Sequence, residues 1–171
     1  SDPSLVVSDI LRISTDGTVT AVTLPEMPAI ANAVSAAPDG SVWVGLSNFG
    51  DNDSTGQQIF GTSQLAHITA DCQGNLTSTL YAIPANTSYL TSLTTASDGS
   101  VWYALAGDPS FTPPGQVAAP DQIQHATLAA DGTLSIQQFD VPEPGVVAGT
   151  STTYPDGLAL DSTGTLWFGD E

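Results

Sequence analysis

Residues 51–56 read Asp-Asn-Asp-Ser-Thr-Gly, which puts oxygen-bearing side chains at alternate positions ahead of a glycine. That order matches the opening of a loop that wraps a hard divalent cation, with carboxylates for charge and glycine for the sharp turn. Asp51, Asp53 and Thr55 are therefore the candidate ligands for calcium. Only half of the motif is present: Thr62 stands where the closing bidentate glutamate would be, and no helices are apparent on either side. A solvated Asn/Asp turn is the alternative for the same residues. Phe49 and Phe60 flank this run, and Phe111 and Asp108 lie in a second long polar stretch, 106–122. An aromatic groove with a few polar groups suits a carbohydrate or another small ligand, so these four are the candidate ligand-binding residues.

Other chemistries find little support. His67 and His125 are the only histidines. They share one repeat position with Arg12, which points to a recurring structural contact rather than a metal site. No Gly-x-Ser-x-Gly elbow exists to present a nucleophile. Cys72 stands alone, so a thiolate metal cluster and a disulfide within these residues are both excluded. It reads as a partly buried small residue, or as a partner for a cysteine elsewhere. No catalytic residue is assigned.

Eighteen carboxylates face one cation, Arg12, giving a net charge of −17 over 171 residues. Such a surface repels phosphate backbones, which excludes nucleic-acid partners, and it disfavours anionic membranes. With 40% apolar residues a packed core is expected. No basic leader or apolar run of membrane-spanning length appears. Three Asn-X-Ser/Thr triplets, beginning at Asn52, Asn75 and Asn86, lean with the lysine-free composition towards a secreted, cell-surface or periplasmic setting.

These candidate residues hang from a repeat. Asp-Gly-Ser-Val-Trp stands at 39–43 and again at 98–102, and Thr-Gly-Thr-Leu-Trp at 163–167. Between these runs lies a second phrase, at 10–25, 65–84 and 123–142, with Arg12, His67 and His125 in matching places. Two phrases alternating at about 58 residues make one structural unit. Each is rich in β-branched and aromatic residues and is split by a glycine turn, so each reads as a β-hairpin. Asp39-Gly40 and Asp98-Gly99 would form two-residue turns with positive φ at both positions. The unit is thus four short antiparallel strands: an inner strand A, a tryptophan strand B, a His/Arg strand C and an outer strand D. That is the pattern of a β-propeller blade, in which each tryptophan wedges between neighbouring sheets.

The run Asp-Gly-x-hydrophobic-Trp-aromatic, followed by Ile-x-Arg-Ile-x-x-Asp-Gly-Thr and a closing Leu-Pro, resembles the repeat of the virginiamycin B lyase-like propellers. These are relatives of the NHL and SMP-30/gluconolactonase groups. The resemblance spans residues 5–171 and implies a propeller scaffold. It would also imply a metal-dependent lyase or lactonase. Yet the lyase type's Glu-x-His pairing is absent after Trp43, Trp102 and Trp167, where Asn48, Asp108 and Asp170-Glu171 follow instead. For the lactonase type, Glu26, Asn32 and Asp156 near the A strands are scattered and do not make a site.

The expected organisation is all-β: strands C and D at 10–25, full blades at 29–84 and 89–142, and strands A and B at 156–171. That is about three blades' worth, a fragment of a roughly six-bladed ring or half of one. Closure would come from missing blades of the same chain or from a second copy; an open or swapped assembly is the third outcome. The expected function is an extracellular binding or structural module with its ligand face on the B–C loops, 47–63 and 106–122. A metal-dependent enzyme or a self-assembling surface protein is the alternative.

Overall fold

The computed structural model describes residues 9–24, 29–52, 58–84, 88–107, 119–141 and 155–170. Twelve strands follow one another, with no helix among the described residues. They are β1 (Asp9–Ile13), β2 (Val19–Thr23), β3 (Ala29–Ala36), β4 (Val42–Asn52), β5 (Gln58–Ala70) and β6 (Leu76–Ala82). The rest are β7 (Ser88–Thr95), β8 (Val101–Gly107), β9 (Gln122–Leu128), β10 (Leu134–Asp140), β11 (Pro155–Leu160) and β12 (Leu166–Asp170). Sequential neighbours pair antiparallel into two four-stranded sheets, β3-β4-β5-β6 and β7-β8-β9-β10, and two two-stranded sheets, β1-β2 and β11-β12.

Local chemistry explains the hairpins, with one departure from expectation. Among the described residues only glycines have positive φ, Gly40 and Gly99 both at 86°, while Asp39 and Asp98 do not. The turns are therefore three-residue loops: a type I turn followed by a left-handed glycine, which suits the twist of the flanking strands. At residues 37–41 the amide of Gly40 donates to the Ala37 carbonyl and that of Ala37 to the Ser41 carbonyl. The aspartate caps the loop from inside, Asp39 Oδ1 accepting both the amide and the hydroxyl of Ser41, at 2.9 and 2.6 Å. Asp98 does the same for Ser100. Asp16 and Asp131 likewise accept amides two residues on, whereas Asp71 and Asp161 cap from the first position of the turn. Six of the eighteen acidic residues are thus turn caps, which accounts locally for part of the charge.

The sheets stack face to face. Trp43, Leu65, Leu90, Leu93, Val101, Tyr103 and Leu105 form the core between the two complete sheets. Val22, Leu24, Val44, Leu46, Ala66 and Ile68 form a second core where β1-β2 meets β3–β6. β8 is buried along nearly its whole length because a sheet covers each of its faces. Each A–B ladder carries a register break in its first half, at 31/33, 90/92 and 156/159. A bulge sharpens strand twist, and its recurrence marks the three ladders as equivalent.

The first strand of each sheet would leave an edge of unpaired amides. Serines of the preceding sheet satisfy several of them. Ser47 Oγ accepts the Leu90 amide at 3.0 Å, Ser35 Oγ the Thr95 amide at 3.1 Å and Ser92 Oγ the Leu158 amide at 3.2 Å. Asn32, placed above among the scattered lactonase-type candidates, ties sheets instead, donating to the Leu90 carbonyl at 3.1 Å. Gly45 permits this approach: an ideal Cβ there would lie 2.2 Å from Leu90 Cδ2.

Tryptophan burial follows the stacking. Trp43, covered by β7–β10, is 2% exposed, and Trp102, facing β11-β12, is half-buried. Trp167 is 64% exposed. The expectation that all three wedge between sheets therefore holds for Trp43, in part for Trp102, and not for Trp167 within this chain. Cys72 is exposed in the β5–β6 turn, not partly buried.

Candidate functional site

The segment expected as a long B–C loop, 47–63, is mostly hairpin. The β4–β5 ladder continues past Ser47↔Ser63 through Phe49↔Phe60 to Asn52↔Gln58, with two register breaks. The β5–β6 ladder begins only at Gln64↔Ala82, so the distal part of β5 has no partner in β6. An arm thus projects from the end of its sheet. Phe49 and Phe60 are register partners in its ladder, and Asp51 is the penultimate residue of β4. Asp53, Thr55, Asp108 and Phe111 lie outside the described residues, as does Glu26.

The base of the arm is polar and buried. Ser47 and Ser63 sit beneath it, Ser63 Oγ donating to the Ser88 carbonyl at 2.8 Å. At the equivalent end of the next sheet, buried Asp121 accepts the Gly107 amide at 2.7 Å. Gly107 admits no side chain there, because a Cβ would meet the Ala119 carbonyl oxygen. This Gly107–Asp121 clasp sets where the chain leaves β8 and re-enters at β9. A buried hydrogen-bonded run also reaches the surface from this sheet. Tyr103 Oη donates to Gln124 Oε1 at 2.6 Å, Gln124 Nε2 to Gln122 Oε1 at 2.9 Å, and Gln122 Nε2 to Asp140 Oδ1 at 2.9 Å. Burial pushes the Tyr103 phenol far above its ordinary value, so it remains a donor. Gln122 and Gln124 alternate along β9, a signal that sequence inspection passed over.

At the opposite end, between the β7–β8 and β11–β12 turns, an open crevice of about 640 Å³ is bordered by Asp98, Trp102, His125 and Asp161. Its floor is a cross-strand pair. His125 lies opposite Trp102 in the ladder and stacks on it, the ring centroids 4.1 Å apart and the planes 12° from parallel. His67 stacks on Trp43 in the same way, at 4.3 Å and 20°. Burial lowers the pKa of both histidines, and the nearby carboxylates, Asp98 for His125 and Asp39 for His67, offset part of that. Both are therefore neutral at pH 7. His125 Nε2 is buried without a hydrogen-bond partner among the described residues. The shared position of Arg12, His67 and His125 was legible in the sequence; the stacking of the two histidines on tryptophan was not.

Among the described residues, no three His, Cys, Asp or Glu side chains gather as a metal-holding group. No family model matches the chain, and no curated protein matches it.

Proposed function

We propose that the chain is a β-propeller segment of the virginiamycin B lyase-like kind and that it acts as an extracellular binding module. Its ligand face is the end of the sheets from which the β4–β5 arm projects. The observation that carries this reading is the overhang: β5 runs for 13 residues against 7 in β6, so a paired arm extends beyond the sheet that anchors it. A scaffold strand needs no such extension, and protruding segments on a rigid repeat are where ligand contacts concentrate. Phe49 and Phe60 are register partners in the arm, and aromatic residues suit a sugar ring or another flat apolar ligand. Asp51 and Asp53 would hold calcium, with Thr55 as a third oxygen donor.

Retention of the chain on insoluble polysaccharides (cellulose, chitin and xylan in parallel), with and without calcium, tests the proposal. One of these should retain the chain, and the double variant Phe49→Ala, Phe60→Ala should elute freely while still folded. Indifference to all three polysaccharides, or unchanged retention of the double variant, overturns the assignment. Calcium should raise the melting temperature, and Asp51→Asn with Asp53→Asn should abolish that rise.

A further inference from the structure

We propose that Asp156-Gly157 is a site of spontaneous aspartate isomerisation, at which the Gly157 amide nitrogen closes on the Asp156 carboxyl and the backbone reroutes through the side chain. The site lies where β11 docks on β7, so the modification loosens that contact.

Five Asp-Gly pairs occur in the chain, beginning at Asp16, Asp39, Asp98, Asp131 and Asp156. The reacting groups are the same in each; the folded geometry is not. The first four sit in hairpin turns that disarm both partners. There the glycine amide donates to the carbonyl three residues back, Gly17 to Ser14, Gly40 to Ala37, Gly99 to Ala96 and Gly132 to Ala129. The carboxylate accepts the amide two residues on, from Thr18, Ser41, Ser100 and Thr133 in turn. The Ser14, Ser41 and Ser100 hydroxyls and the Thr133 amide hold these four carboxyls below the ordinary range. An ionised carboxylate is a poor electrophile and has no hydroxyl to release as water.

Asp156-Gly157 is built differently. It lies in a strand, and the Gly157 amide donates to the carboxyl of the preceding residue, at 2.7 Å from Asp156 Oδ1. Gly157 and Leu158 fall in the register break of the β11–β12 ladder, so strand pairing does not pin this peptide. Asp156 and Gly157 are exposed, and an ideal Cβ on Gly157 would meet nothing within 4 Å, which leaves room for a ring. Nucleophile and carboxyl are thus already side by side, the condition that speeds an intramolecular step. Gly157 N bonds to Asp156 Cγ, and the Cγ hydroxyl leaves with the amide proton as water. Water then adds to the α-carbonyl of the succinimide and breaks its bond to Gly157 N. The chain is left joined through Cγ, with a free α-carboxylate, unchanged composition and a backbone one carbon longer. Two ties to β7 bracket this link: Thr91 Oγ1 donates to the Pro155 carbonyl, and the Leu158 amide donates to Ser92 Oγ at 3.2 Å. An extra backbone carbon between them moves one tie out of hydrogen-bond reach.

Incubation of the 171-residue chain at mildly acidic pH, followed by peptide mapping and labelling with an isoaspartate-specific methyltransferase, tests this. In the folded chain, position 156 should gain isoaspartate about tenfold faster than any of the other four. Unfolded in urea, all five should react within about threefold of one another, because only the fold distinguishes them. Asp156→Glu, which would have to close a larger ring, should remove the folded-state product and melt as the unaltered chain does. The isoaspartyl form, separated by ion exchange, should melt below the fresh chain and recover after enzymatic repair. Equal rates at the five pairs in the folded chain, faster reaction at any capped turn, or an isoaspartyl form that melts unchanged overturns the proposal.

Discussion

Replacing Gly45 with alanine places a methyl group inside the contact between the two complete sheets. The new Cβ would stand 2.2 Å from Leu90 Cδ2, 3.0 Å from Cδ1 and 3.1 Å from Cγ, against the roughly 3.5–4.0 Å at which carbon atoms rest. Leu90 must therefore move by more than about 1 Å. It is fully buried, with Trp43, Tyr103 and Leu105 in the same core, and has no free side to move into. Overpacking of this kind costs about 1–3 kcal/mol. Alanine returns about 0.5–1 kcal/mol by restricting the unfolded chain, so the net loss should be about 1–2 kcal/mol. Leu90→Ala alone should cost about 2–5 kcal/mol through the cavity it leaves. Combined, the two should fall short of their sum by about 1–3 kcal/mol, because the methyl enters space the leucine vacated. Urea unfolding of the four proteins, followed by far-ultraviolet circular dichroism, measures this cycle. Strict additivity would refute the packing of β4 against β7, and with it the stacking of successive sheets.

Acid should unfold the protein in two steps. His67 and His125 have pKa values lowered by burial, so the stability they contribute is complete above their ordinary 6.5 and declines as pH falls through the folded values. The turn aspartates are lowered as well, Asp16 to about 2 by the Ser14 hydroxyl and the Thr18 amide, so their contribution is lost between about pH 4 and pH 2. Melting temperature should be flat above neutrality, dip below pH 6.5 and drop steeply below pH 4; His67→Gln with His125→Gln should remove the first dip only. A maximum near pH 4 would contradict this. Asp121→Ala should cost about 1–3 kcal/mol in urea unfolding by stranding the Gly107 amide, and Asp121→Asn, which keeps an acceptor, should recover most of it.

Much of the architecture was legible because it is written locally and repeated. Each described hairpin turn depends on a glycine with left-handed φ and a side chain that caps the turn, both within five consecutive residues. Trp43, Trp102 and Trp167 recur in one short phrase because each sits at the same place in a ladder. The turn type escaped notice because Asp-Gly serves two hairpin geometries, and the difference lies in whether aspartate or only glycine takes positive φ. The 47–63 segment looked like a loop because its polar residues break the alternation; pairing of 47–52 with 58–63, rather than composition, holds those residues extended.

The sequence by itself determined the strands, their turns and their order within each sheet, since all of these join near neighbours along the chain. Only the tertiary structure decided what each face meets. Trp43 and Trp167 sit in nearly the same local sequence, yet one is sealed and the other lies open. Burial of a side chain depends on the sheet laid against it, and that sheet is built from residues about sixty positions away.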